Sequence, residues 1–236
     1  MKSLLLFGLL LSGGLSGSAQ DGFVSQSGAP LAYNVFDRNG RTFVNPAPDV
    51  TGSPFFADDW RVGTVILVDN RRYDGIRLRL NLYSGEVHVM DSVRKEIALE
   101  KGYVKEILLP VSPVKMAGLT GTIRFQCGFP SVDTHDGAFL YEVVLEGHCW
   151  LLHAVRKVIS ERKDDLSGET TREYRTYEDY YVYNGTTIQR VKRDKDFLLT
   201  VLADKKDKVE SFINDNHLRF KSADDIRRVI GYYNQL

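Results

Sequence analysis

The sequence predicts an α+β fold: a mainly antiparallel β-meander, as a curved sheet, a sandwich or an incompletely closed barrel, followed by two or three short C-terminal helices. Three observations predict it. Ile76, Leu78, Leu80 and Leu82 alternate with Arg77, Arg79 and Asn81, the pattern of a strand with one buried and one wet face. Ser84-Gly85 and Asn184-Gly185 supply hairpin loops between alternating runs, because Gly accepts the backbone angles a tight loop needs. From Asp196 the spacing turns helical, with Val209, Phe212 and Ile213, then Ile226, Val229, Ile230 and Tyr233, at the intervals of one helix face. No internal repeat of fixed period occurs, which argues against a propeller or solenoid.

Taken in order, residues 1–19 read as a signal peptide. Lys2 is positive, residues 4–11 are apolar apart from Gly8, and Gly17-Ser18-Ala19 offers small side chains for cleavage, so the mature chain is expected to begin at Gln20. The apolar run is too short to span a membrane, and no Cys follows it to carry a lipid. No later stretch is long and apolar enough for a transmembrane helix in the mature chain. Residues 20–58, with Pro30, Pro46, Pro48 and Pro54, form an irregular lead-in. Within it, residues 31–36 and 41–44 are a candidate hairpin around Asn39-Gly40. Phe55, Phe56 and Trp60 are expected to plug one end of the core. A single β-rich domain then covers 59–236, its helices within 196–236.

The first strand is 60–68, turned at Asp69-Asn70 into 73–83. A loop at Ser84-Gly85 sets Leu82 opposite Val87 and Leu80 opposite Val89, which keeps the apolar residues on one face. Strands follow at 94–99 and 103–109, joined near Lys101-Gly102. After the connection 110–121 come 123–129 and 139–159, where Glu146-Gly147 either divides a hairpin or marks a bulge. Beyond the polar stretch 161–171, strands 172–183 and 186–193 flank Asn184-Gly185, opposing Asp179 to Arg190 and Arg175 to Asp194. Asp204 and Ser222 are N-cap candidates, and Asp224 and Asp225 suit a first helical turn.

The spacing of Gly52-Ser53-Pro54, Asp58-Asp59-Trp60 and Gly63, with the strands to Val89, resembles a group of exported bacterial proteins of unknown function. Residues 202–212 and 218–233, with the ending Tyr232-Tyr233-Asn234, are similar too. The resemblance covers most of the mature chain and implies an exported, β-rich, single unit. It brings no catalytic motif, cofactor or substrate with it.

Composition narrows the partners. With 43% hydrophobic and 26% charged residues among 236, the chain can build a real core. Lys plus Arg equals Asp plus Glu at 31 each, and removing residues 1–19 with Lys2 leaves 30 against 31. Nucleic-acid binding calls for a basic excess or stripe, so that partner is not expected. The partners expected are envelope polysaccharide, peptide or lipid, met in the periplasm or outside the cell. Cys127 and Cys149 either pair in an oxidising compartment or stay buried thiols, and their spacing leaves both open.

Chemistry is sparse. The sequence holds no G-x-S-x-G elbow, H-E-x-x-H, C-x-x-C, P-loop or dinucleotide fingerprint, so no cofactor or metal is expected. His148, Cys149 and His153 come nearest to a zinc set, but on a continuous strand 148 and 153 face opposite sides. Asp133, His135 and Asp136 suit acid–base work if a nucleophile comes near, and equally suit an ordinary turn. Asp58-Asp59 falls short of the roughly six to eight oxygens of a calcium site. Ser167 has acids beside it but no His, and Asn184-Gly185-Thr186, though a glycosylation pattern, is accounted for as a turn.

The one unusual concentration is aromatic. Tyr174, Tyr177, Tyr180, Tyr181 and Tyr183 fall within ten residues of strand. Tyr177, Tyr181 and Tyr183 share one face, and Asp179 and Arg190 beside them mark it as the wetter one. These three are therefore the candidate ligand-binding residues. The function expected is a non-enzymatic binding or structural module of the bacterial cell envelope. The alternatives are a periplasmic carrier of lipid or another apolar ligand, and a hydrolase in which His135 and Asp136 converge with other groups only in the fold.

Overall fold

Alternation of apolar and polar side chains builds an antiparallel sheet that is not closed, and the helical spacing near the C-terminus builds three short helices. The computed structural model describes residues 50–92, 94–111, 121–163 and 168–236. The expected leader, the 31–44 hairpin and Ser167 lie outside them. Among the described residues there are ten strands: β1 (Arg61–Leu67), β2 (Arg72–Leu80), β3 (Val87–Met90), β4 (Glu96–Leu99), β5 (Val104–Pro110), β6 (Thr122–Gln126), β7 (Tyr141–Leu145), β8 (Trp150–Lys163), β9 (Thr170–Tyr183) and β10 (Ile188–Arg190). Their order in the sheet is β10-β9-β8-β7-β6-β5-β1-β2-β3-β4. Glu146-Gly147 thus lies in the connection between two strands, β7 and β8.

Connection length forces the first half to curl. Only residues 100–103 separate β4 from β5, a reach of at most about 18 Å. In a flat sheet these strands, four spacings apart, would stand about 19 Å from one another. Curling turns Leu78, Leu80, Val87, Val89 and Leu99 toward Val65, Val104, Ile107 and Leu109, and these form the first buried cluster.

Both hairpins pair two residues away from the expected register. Leu80 lies opposite Val87 and Leu78 opposite Val89. Arg190 lies opposite Tyr181. Asparagine side chains are the reason. Asn81 Oδ1 accepts the N–H groups of Tyr83 and Ser84 at 3.0 and 3.1 Å. Asn184 Oδ1 accepts those of Thr186 and Thr187 at 3.1 and 2.8 Å. Such a side chain imitates a backbone turn and lengthens the loop, toward its start at Asn81 and toward its end after Asn184, with Gly85 and Gly185 supplying positive φ. A shift of two preserves side-chain alternation, so the expected faces survive although the partners change. Arg190 still reaches Asp179 diagonally, its Nε donating at 3.1 Å. The Arg175–Asp194 pair does not form: Arg175 bonds Glu173 at 2.7 Å, and Asp194 lies beyond β10.

There Asp194 caps α1 (Lys195–Val201), accepting the Phe197 N–H at 2.7 Å. Asp204 does not cap α2 (Lys206–Asp215); it sits in a preceding 3₁₀ turn and accepts a bond from the Tyr233 hydroxyl at 3.0 Å. Ser222 stands extended at the start of α3 (Ala223–Tyr233), without a side-chain cap bond. Ile226, Val229 and Ile230 of α3, with Val209 and Ile213 of α2, bury against Cys149, Leu151 and Val182 of the sheet. Adjacent residues on a strand point to opposite faces, so Leu152 and Tyr181 lie on the other side of β8–β9, in a third cluster with Phe129, Tyr141 and Ile188. Both faces of this half of the sheet are covered. No helix among the described residues is long and apolar enough to cross a membrane.

Candidate functional site

The expected aromatic platform is divided by this layering. Tyr177 is exposed at 45%, with the Arg156 guanidinium carbon over its ring, 4.9 Å from the centroid. Tyr183 is half-buried against Phe129 and Trp150. Tyr181 is buried at 1% exposure, contrary to the expectation of a wet surface. The cause is the loop that carries Phe129, Val132, Asp133, His135 and Phe139, which folds over this face. Its Asp133 Oδ2 accepts the Tyr181 hydroxyl at 2.7 Å. Its His135 stacks on Phe139, with Nδ1 2.9 Å from the Tyr141 hydroxyl. Burial, reinforced by Asp133, pushes both tyrosine hydroxyls far above their ordinary range, so neither offers a phenolate near neutral pH. Burial also lowers the pKa of His135.

The other sequence candidates do not converge. Asp136 bonds Lys101 at 2.9 Å, away from the His135–Tyr141 contact. His153 Nδ1 lies 2.8 Å from Glu142 and its ring stacks on Tyr180. Cys149 is buried in the helix-facing cluster, its thiol pushed up to about 12 by burial. Cys127 belongs to the first cluster, its thiol directed to the Val104 carbonyl at 3.3 Å, and neither cysteine is in a disulfide. Asp58 and Asp59 are exposed, with Asp59 3.6 Å from Arg61. Among the described residues no group of three or more His, Cys, Asp or Glu is disposed to hold a metal ion.

A polar group on the outer face of the curl was not anticipated. Arg79 donates to both oxygens of Glu96 at 2.8 and 2.9 Å, and His88, fully buried, lies 2.5 Å from the same carboxylate. Phe55 and Trp60 cover Arg79, their ring centroids 3.9 and 4.4 Å from its guanidinium carbon. Phe55 is buried, as expected, and Phe56 packs half-buried against the first cluster, edge-on to Phe125. Lys157 straps this segment to β8, donating to the Ser53 and Phe55 carbonyls at 2.7 and 2.8 Å. The Arg79–Glu96 pair and the Lys157 strap hold this segment to the sheet.

An open groove of about 620 Å³ lies at the helical end. Arg193 and Lys195 enter it from the junction of β10 and α1, because Asp194 caps the helix there and turns the chain. His217, Leu218, Arg219 and Phe220 enter from the turn between α2 and α3. That turn is tight: the Leu218 N–H returns to the Ile213 carbonyl at 3.1 Å, and His217 and Phe220 adopt positive φ. Lys195 is steadied by Glu210 at 2.7 Å and by Asn214 at 3.2 Å. Arg193 and Arg219 are exposed, and neither forms an ion pair with a carboxylate among the described residues. The lining supplies cations, an amide and an imidazole over apolar Ile213 and Phe220, and no hydroxyl or thiol. Such a set can hold an oxyanion through charge-assisted hydrogen bonds. The sequence signal was two short basic runs, Lys192-Arg193-Asp194-Lys195 and His217 to Lys221, which only the fold brings to one place.

Comparison with protein-family models, with curated proteins and with solved structures finds no match for the chain.

Proposed function

We propose that the chain is an exported binding protein of the bacterial cell envelope that acts without catalysing a reaction. The observation that carries the binding half is the groove between the β10–α1 junction and the α2–α3 turn. It is large enough for a small ligand, and its lining sets cations over an apolar base without a hydroxyl or thiol. The export half is supported by residues 1–19, where a positive residue, an apolar run and small residues follow in the order of a secretory leader. In this reading the tyrosine-rich face is interior scaffold, and of the three tyrosines only Tyr177 has a freely exposed ring.

Expression of the full gene in a bacterial host, followed by cell fractionation and intact-mass measurement, tests the export half. The expected product is periplasmic or extracellular and begins at Gln20 or its cyclised form. A cytoplasmic chain retaining Met1 contradicts it.

A further inference from the structure

We infer that the groove binds a phosphate monoester, an inference that rests on the binding reading above and names its ligand class. The chain as a whole carries no excess charge, so the cations at this point are a local concentration rather than general basicity. They come from two segments more than twenty residues apart, Arg193 with Lys195 and, beyond α2, Arg219. The one carboxylate in the lining, Asp194, keeps its charge but directs Oδ1 to the Phe197 N–H as the cap of α1, which leaves the arginine forks as the groove's free donors. Lys195 is matched by Glu210, so the two guanidinium groups of Arg193 and Arg219 are the charges left to a ligand.

Two positive charges in planar forks call for two negative charges on a compact oxyanion. A phosphate monoester is largely dianionic at neutral pH, with a second pKa of about 6, whereas a carboxylate brings a single charge. Buried Ile213 and Phe220 give the groove an apolar base, which excludes water from one side and strengthens attraction above it. The volume of about 620 Å³ leaves room for the group that carries the phosphate. That group is either a soluble sugar or a lipid whose headgroup is a bare phosphate.

Calorimetric titration of the full mature chain with glucose 6-phosphate, against glucose as the blank, reads the soluble source. Co-sedimentation with phosphatidylcholine vesicles containing phosphatidic acid, against vesicles without it, reads the lipid source. Arg193→Gln combined with Arg219→Gln should weaken whichever binding occurs by roughly tenfold or more, since each removes charge-assisted hydrogen bonds. Its melting temperature should not move, because both side chains are exposed. Arg162→Gln, on the distant end of β8, should leave binding unchanged. Saturable binding of glucose 6-phosphate lost in the double variant supports a soluble ester. Binding only to phosphatidic acid vesicles, also lost in that variant, supports the lipid headgroup. Binding of neither probe, or binding that the double variant retains, overturns the proposal. Purified chain is used throughout, so a failure of export does not alter these outcomes.

Discussion

The Asn234 carboxamide holds the backbone of Cys149 in both directions: its Oδ1 accepts the Cys149 N–H at 2.9 Å, and its Nδ2 donates to the Cys149 carbonyl at 2.8 Å. One side chain at the end of α3 therefore acts as the hydrogen-bond partner of the residue just before β8. Gly147 makes the approach possible. A Cβ at Gly147 would stand 2.4 Å from Asn234 Cγ, too close for the carboxamide to stay where it is.

Asn234→Ala and Gly147→Ala should each destabilise the protein by about 1–3 kcal/mol, the scale for orphaning a buried backbone group. Both act through the same pair of bonds, so the double variant should lose clearly less than the sum. Chemical denaturation of the four proteins checks this, and additive losses would show that the two residues act separately.

Ile230, fully buried between α3 and the sheet, tests whether the helices belong to the same folding unit. The apolar stripes of such short helices leave them marginal alone in water. Ile230→Asp should lower global stability by about 3 kcal/mol or more, as expected for an unpaired buried charge. The expected record is one thermal transition, shifted down as a whole. A separate early transition with the main one unmoved would make residues 196–236 an appendage.

The architecture was legible where a pattern of side chains decides it. Alternation along residues 76–82 and helical spacing along 226–233 placed both layers, because burial on one face is enough to specify either element. Register was not legible, because Asn81 and Asn184 act through side-chain oxygens that alternation does not record. Strand order was hidden for another reason: β5 returns beside β1, a choice made by the curl rather than by any local run of residues. The misjudged face of Tyr181 follows from the same limit. A polar pair such as Asp179 and Arg190 suggests water, while the loop that covers the neighbouring ring lies about fifty residues upstream. The groove escaped notice because Arg193 and Arg219 are ordinary exposed cations until the α2–α3 turn brings them to the lining of one groove.

His135 should make stability depend on pH. Burial, with the Arg156 charge adding to it, lowers its pKa below the ordinary value near 6.5, while Asp133 and Asp179 partly oppose the shift. As pH falls below that value, the unfolded chain takes up the proton before the folded one does. Stability is therefore present in full above the ordinary histidine range and declines as pH falls through it toward the lower folded value. Melting curves between pH 7.5 and about pH 5 should show the decline in the parent protein and a flatter profile in His135→Gln. Parallel profiles for the two proteins would remove His135 as its source.

The measurement that bears most directly on the assignment of the tyrosine face to the interior is the melting temperature of Tyr181→Ser set beside that of Tyr177→Ser. Tyr181 is sealed at 1% exposure beneath the Asp133–His135 loop, and its replacement removes a large buried ring, a loss of about 3–5 kcal/mol. Tyr177 is 45% exposed on the same strand face, and its loss should stay within about 1 kcal/mol. A large drop for Tyr181→Ser alone is the result expected. Equal and small changes in both variants would contradict the assignment of Tyr181 to the interior.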